Sequence, residues 1–154
     1  MQLVYLVRHG AAKPKEEDPQ RGLTTAGQEG AQNVANWAAS AGLRVDEIHH
    51  SGKLRAAQTA QIFSAALGPD VEPQAMQGLN PNDDVRPVAE VLASATRTLM
   101  LVGHLPFLGR LVSQLVIGDP DQNLVTFAAA GLVRLSKSDT GWVIDCVVQP
   151  GNFP

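Results

Sequence analysis

Residues 3–7 form a continuous apolar run, and residues 98–102, opened by Thr98, form a second. Unbroken apolar runs of this length suit strands covered on both faces, as in the centre of a parallel sheet. Elsewhere apolar residues recur at helical spacing. Ala31, Val34, Ala35 and Ala38 form one stripe, with Thr25 and Gln28 placed as a capping box before it and Gly42 placed to end it. Thr59, Ile62, Phe63 and Ala66 form a second, stopped by Gly68-Pro69. Val85, Val88, Ala89 and Leu92 form a third, where Pro87 is tolerable only in a first turn. Leu108, Leu111, Val112 and Leu115 form the fourth, ending at Gly118. Residues 132–135 and 142–148 flank the turn-rich Ser138-Asp139-Thr140-Gly141 and read as a hairpin. Residues 45–49 and 71–75 read as short strands, the second at a sheet edge because Pro73 cannot donate to a ladder. Strands alternating with helices predict an α/β protein, a three-layer sandwich with a mainly parallel central sheet flanked by helices.

Composition narrows the function classes more than the fold. The 154 residues fit one domain over 1–154, long enough to bury a core. At 44% hydrophobic and 18% charged, the chain is neither disordered nor collagen-like. A net charge of −3 argues against generic binding to nucleic acid or to an anionic membrane, which calls for a basic surface. No apolar stretch approaches the roughly 20 residues that span a bilayer. Arg8 and His9 interrupt the first apolar run and no small-residue cleavage site follows, so the expectation is a cytoplasmic protein. The single cysteine, Cys146, excludes an internal disulfide framework and a four-cysteine zinc site, and reads as a small core residue. Adjacent His49 and His50 at a strand end point to opposite faces and cannot share one pocket. No histidine pair stands at metal-binding spacing on one helix face, so no metal is expected.

The chemistry should lie beyond the carboxyl ends of the strands, where open α/β sheets bind ligands. The two best strands end alike, residues 3–7 running into Arg8-His9-Gly10 and residues 98–102 into Gly103-His104. If those strands are parallel neighbours, His9 and His104 share one rim. Gly10 or Gly103 alone reads merely as a strand end, yet each also permits close backbone approach to a ligand. The segment Ser51-Gly52-Lys53-Leu54-Arg55-Ala56-Ala57-Gln58-Thr59 follows a short strand and opens a helix, with Arg55 in its first turn. An arginine there opposes the helix dipole, and makes sense where the free N–H groups of the helix start bind an anion. Taken alone, Arg55 is an ordinary solvated arginine. Taken together, Arg8 and Arg55 can grip phosphate oxygens through paired N–H donors, His9 can attack phosphorus through a ring nitrogen, and His104 can donate to the equatorial oxygens. The set reads as a phosphoryl-transfer site.

Three motifs in this order resemble the histidine phosphatase superfamily, which includes the cofactor-dependent phosphoglycerate mutases. They are Arg8-His9-Gly10, the Ser-x-x-x-Arg-Ala-x-Gln-Thr segment from Ser51 to Thr59, and Val102-Gly103-His104. Arg21-Gly22-Leu23-Thr24-Thr25-Ala26-Gly27 and His104-Leu105-Pro106 are similar to the short SixA branch, the phosphohistidine phosphatases. The resemblance covers residues 2–148. It implies a phosphoglycerate mutase-like fold without a large cap domain, His9 as a nucleophile that becomes phosphohistidine, and a phosphate pocket of Arg8, Arg55 and His104, with Arg21 at its rim. It implies no cofactor and no metal. Two departures, Ala11 where many relatives carry an acid and Gly52 where many carry proline, remove no phosphate contact.

A third departure bears on the substrate. Larger members of the superfamily use a carboxylate from a later loop as general acid, but residues 77–84 here contain no glutamate. Asp83 and Asp84 are candidates for that acid and, ahead of it, for capping the helix that follows. An alkoxide leaving group needs a proton, and an imidazole leaving from phosphohistidine needs much less help. The expected function is therefore a phosphohistidine phosphatase acting on a histidine-phosphorylated domain of a signalling protein. The alternatives are a phosphatase of small phosphate esters and a non-enzymatic phosphohistidine-binding protein. Two arginines nearby should lower both histidine pKa values, and bound phosphate should raise them again. Activity is expected to fall in acid as His9 takes up a proton, and with an unperturbed pKa near 6.5 a profile flat down through about pH 5 would count against His9 as the attacking base.

Overall fold

The computed structural model describes residues 2–154. The first apolar run extends by one residue at each end to become β1 (Gln2–Arg8), and the second becomes β4 (Leu99–Gly103). Between and after them lie α1 (Thr25–Ser40), β2 (Glu47–His50), α2 (Leu54–Leu67), β3 (Gln74–Ala75), α3 (Arg86–Ser94), α4 (Phe107–Ile117), β5 (Leu132–Ser138) and β6 (Gly141–Val148). The strands form one sheet in the order β3-β2-β4-β1-β5-β6. β3, β2, β4 and β1 run parallel, and β5 and β6 join as the antiparallel hairpin expected from the Ser138–Gly141 turn.

Alternation along β1 and β4 sends side chains to two opposite cores, as strand geometry requires. Val4, Leu6, Leu99 and Leu101 face α3 and α4, packing with Val88, Leu92, Phe107 and Leu111. Tyr5, Val7, Met100 and Val102 face α1 and α2, packing with Val34, Ala35, Ala60 and Phe63. This is the three-layer α/β sandwich, and the described residues include no large cap. Trp142 is buried in the first core, and Trp37 stacks on Phe153 with ring centroids 5.8 Å apart. Cys146 packs only partly buried against the second core.

Several element boundaries differ from the expected ones for identifiable reasons. Thr24, not Thr25, caps α1: its hydroxyl accepts from Gly27 N at 2.9 Å, and its own N–H is fixed on the Ala11 carbonyl at 3.0 Å. Gly42 follows the cap in the left-handed conformation, with φ of 76°. The short strand expected over 71–75 keeps only Gln74–Ala75, because the Val71 N–H is taken by Gly68 O and its carbonyl by the Ser64 hydroxyl. Asp84 serves the start of α3 from just outside it, accepting from Arg86 N at 3.0 Å and pairing with the Arg86 guanidinium, while Val85 holds the cap position. Asp83 accepts from Asn80 N at 2.9 Å and closes the preceding turn. No helix among the described residues is long and apolar enough to cross a membrane.

Candidate active site

Register brings the site together. Arg8 pairs with Gly103 across β1 and β4, and His50 pairs with Val102 across β2 and β4, so β1 and β4 end level and β2 ends one residue short of them. The next residues along each strand are His9, His104 and Ser51. The ladder continues one step further, with His9 N donating to Gly103 O at 3.0 Å. His9 O in turn accepts from Ala130 N at 3.1 Å, which clamps the backbone of His9 on both sides. The imidazoles of His9 and His104 meet as expected, with centroids 5.0 Å apart and planes inclined by 53°.

The ring of His9 is oriented by its own neighbour. Nδ1 lies 2.7 Å from Gly10 O. A carbonyl oxygen only accepts, so Nδ1 carries the hydrogen. Burial pushes the pKa of His9 down to about 4; the Gly10 bond opposes this, and Arg55, Arg8 and Arg21 reinforce it. At neutral pH the ring is therefore uncharged and its Nε2 keeps a free lone pair. His104 is only 2% exposed, and burial, then His9, Arg55, Lys53 and Arg21, push its pKa down to about 3.

The cations converge from different elements. Arg8 ends β1, with Nη1 donating to Phe127 O at 2.9 Å and Nε buried without a partner among the described residues. Arg55 lies in the first turn of α2, its Nε likewise buried and unpartnered; burial and then Arg21 lower its pKa. Arg21 adopts φ of 53° and donates from Nε to Lys13 O at 3.1 Å, and its charge acts on His9, His104 and Arg55 alike. Among the described residues no carboxylate pairs with Arg8, Arg21 or Arg55. Semi-buried charge without a counter-charge is costly, so such a cluster suits an anionic ligand. Asp83 and Asp84 are engaged elsewhere, Asp83 closing the turn at Asn80 and Asp84 serving the start of α3. His49 bonds Glu47 and His50 accepts from Gly52 N, and no group of three or more metal-ligating side chains gathers among the described residues.

Two contacts of this machinery are not visible as pattern in the sequence. Ser51 Oγ lies 2.6 Å from His104 Nε2. Thr59, fully buried in α2, receives Gly10 N at 3.0 Å and donates its hydroxyl to Arg55 O at 2.8 Å, tying the His9 turn to the helix that carries Arg55. The only advance signal for either was its place in the motif that contains Arg55.

Residues 4–81 match the histidine phosphatase superfamily (branch 1). The phosphohistidine phosphatase SixA of Escherichia coli strain K12 is 31% identical over 143 residues, covering 90% of this chain and 88% of that one. Among solved structures, the protein histidine phosphatase SixA complexed with tungstate superposes with a TM-score of 0.87 at 25% identity, over 98% of this chain and 99% of that one. A phosphoserine phosphatase from Entamoeba histolytica, in complex with 3-phosphoglyceric acid, has the same fold with a TM-score of 0.75 at 16% identity, over 96% of each chain. The motifs, the level strand ends and these likenesses agree: the chain is a phosphatase that belongs to the histidine phosphatase superfamily, in its SixA-type branch.

Proposed function

We propose that this phosphatase cleaves phosphohistidine, on a phosphorylated signalling protein in the cytoplasm, with one catalytic domain over residues 1–154. His9 is the nucleophile and Arg8, Arg55 and His104 complete the catalytic group. Arg21 joins them in binding the phosphoryl oxygens. The observation that carries this reading is the state of His9: a neutral ring whose Nδ1 hydrogen is fixed on Gly10 O, leaving Nε2 free beside two arginines. The Nε2 lone pair forms a bond to phosphorus as the bond from phosphorus to the substrate nitrogen breaks. The departing imidazole leaves as a neutral ring, having taken a proton at its far nitrogen. Water then attacks the phosphoryl group on His9, the P–Nε2 bond breaks, and inorganic phosphate departs. The arginines and His104 balance the charge on the equatorial oxygens throughout, which is most of what phosphoryl transfer demands.

Two features favour phosphohistidine over an ester. Of the candidate acids of the loop, Asp83 is engaged in the turn at Asn80 and Asp84 at the start of α3, which leaves an alkoxide without an evident proton donor. Beside the site runs a groove of about 470 Å³, lined by Leu105, Pro106, Arg110, Val125 and Phe127. It begins at the residue after His104 and reaches Phe127, whose carbonyl holds Arg8. That is room for a side chain presented on another protein. The decisive experiment is rapid-quench labelling with a phosphohistidine protein, with kcat/KM compared against an alkyl phosphate. An acid-labile, base-stable phosphate on His9 and a strong preference for the phosphohistidine protein are expected. Equal rates on both substrates would remove the leaving-group argument, and labelling that survives His9→Ala would remove His9.

A further inference from the structure

His104 has two ring nitrogens in different surroundings. Nε2 faces the Ser51 hydroxyl at 2.6 Å, and Nδ1 is buried with no hydrogen-bond partner among the described residues. The hydroxyl of Ser51 is itself directed: its oxygen accepts from Lys53 N at 3.3 Å, at the start of α2. A hydroxyl also has one hydrogen to place, and among the described residues the acceptor within reach of it is the lone pair of Nε2. With that hydrogen donated, the hydrogen-bond chain runs from Lys53 N–H to Ser51 O–H to His104 Nε2. A neutral imidazole that accepts at Nε2 carries its hydrogen at Nδ1.

We propose that Ser51 is a positioning residue that fixes the tautomer of His104, so that Nδ1–H is the donor His104 offers to the transferring phosphoryl group. This rests on the role for His104 given under Proposed function. Phosphoryl oxygens accept hydrogen bonds, so a bare Nδ1 would meet them lone pair to lone pair. A serine also tolerates a change of charge. When an anion draws a second proton onto His104, the hydroxyl rotates and accepts from Nε2–H, and Nδ1–H stays in place. The groups acting on this ring are His9, Arg55, Lys53 and Arg21, all of which disfavour the second proton until an anion offsets them. An alanine at position 51 supports neither state, and lets the neutral ring move its hydrogen to Nε2.

The test reads the tautomer directly, by ¹⁵N NMR of the His104 ring in the resting full-length protein at neutral pH. The hydrogen is expected on Nδ1 in the natural protein and in Ser51→Thr, and shifted to Nε2 in Ser51→Ala. In parallel, kcat/KM on a small chromogenic aryl phosphate should fall about 10- to 30-fold in Ser51→Ala, chiefly in kcat, and return to within about threefold in Ser51→Thr, in proportion to the loss of one charge-assisted hydrogen bond. An unchanged tautomer in Ser51→Ala overturns the proposal. So does a shifted tautomer with unchanged kcat/KM, or a threonine variant as impaired as the alanine one. Failure of the functional reading is recognised separately, as absence of labelled His9 in the natural protein. The tautomer of the resting ring is measured without turnover and does not depend on that label.

Discussion

Gly27, in the first turn of α1, lies against the carbonyl of Ala11 so closely that a Cβ on Gly27 would stand 2.0 Å from that oxygen. Its own carbonyl closes the approach from the other side, since a Cβ on Gly10 would stand 2.6 Å from Gly27 O. Helix α1 therefore abuts the turn that carries His9 by backbone contact. Alanine at a helical glycine ordinarily stabilises by roughly 1 kcal/mol. Here Gly27→Ala should destabilise by roughly 2–3 kcal/mol, the cost of overpacking against backbone that cannot yield, and should lower kcat/KM by displacing His9. Urea denaturation checks the first effect and turnover the second. A stabilised variant would show that the contact is looser than described.

The hydroxyl of Thr59 joins two parts of the site, receiving Gly10 N and donating to Arg55 O. Thr59→Val keeps the shape and removes the hydroxyl, stranding the Gly10 N–H in a buried place at a cost of roughly 1–3 kcal/mol. Activity should fall about tenfold as the His9 turn loosens, an estimate on the scale of one lost hydrogen bond. Thr59→Ser should retain both stability and turnover to a large degree. If valine and serine behave alike, the hydroxyl is not what holds the turn.

How far the site can be read in advance follows from what each residue depends on. His9 and His104 were placeable on one rim because each ends an unbroken apolar run, and parallel neighbours bring carboxyl ends together. Arg55 was placeable because helix starts are marked in sequence. Ser51 was legible only as a motif letter, since its contact with His104 depends on the register of β2 against β4. Thr24 and Thr25 are equivalent to any capping rule, and the hydrogen bond from Thr24 N to Ala11 O, made across the fold, decides between them. Gly27 looks like a weak helix residue until the Ala11 backbone appears beside it. The lowering of the His9 pKa by neighbouring arginines was legible, but burial is the larger cause and carries it to about 4, so activity level down to about pH 5 does not count against His9, contrary to that expectation.

That displacement sets the pH behaviour. The fall of kcat/KM in acid reports the free enzyme's essential base. With His9 at about 4, kcat/KM should stay level from pH 7 to near pH 5 and drop around pH 4. Stability follows a different window. Both histidines take a proton near pH 6.5 when unfolded but only at about 4 and about 3 when folded. Below pH 6.5 the unfolded chain binds more protons, so stability falls as pH drops from 6.5 toward those values. Above 6.5 the two rings contribute no slope. Thermal melts from pH 8 to pH 4 should show Tm constant above 6.5 and declining below it. Inorganic phosphate should restore part of the loss, because a bound anion favours the protonated rings. A kcat/KM limb centred at 6 to 6.5 would mean that His9 is not held in the buried, cation-flanked state described.

Arg55 separates charge from geometry. Its charge lowers the pKa of both His9 and His104, so removing it in Arg55→Gln should raise both, measurable by NMR titration of the ring protons. Loss of a charge-assisted contact to the phosphoryl group should at the same time reduce kcat/KM by roughly 100-fold. Arg55→Lys keeps the charge but not the planar fork, which fits two phosphate oxygens and no ammonium group reproduces. The lysine variant should therefore leave the two histidine pKa values near their original positions and still lose at least about tenfold in kcat/KM. Full activity in Arg55→Lys would show that Arg55 acts as a point charge on the histidines, and would remove it from direct contact with the phosphoryl oxygens.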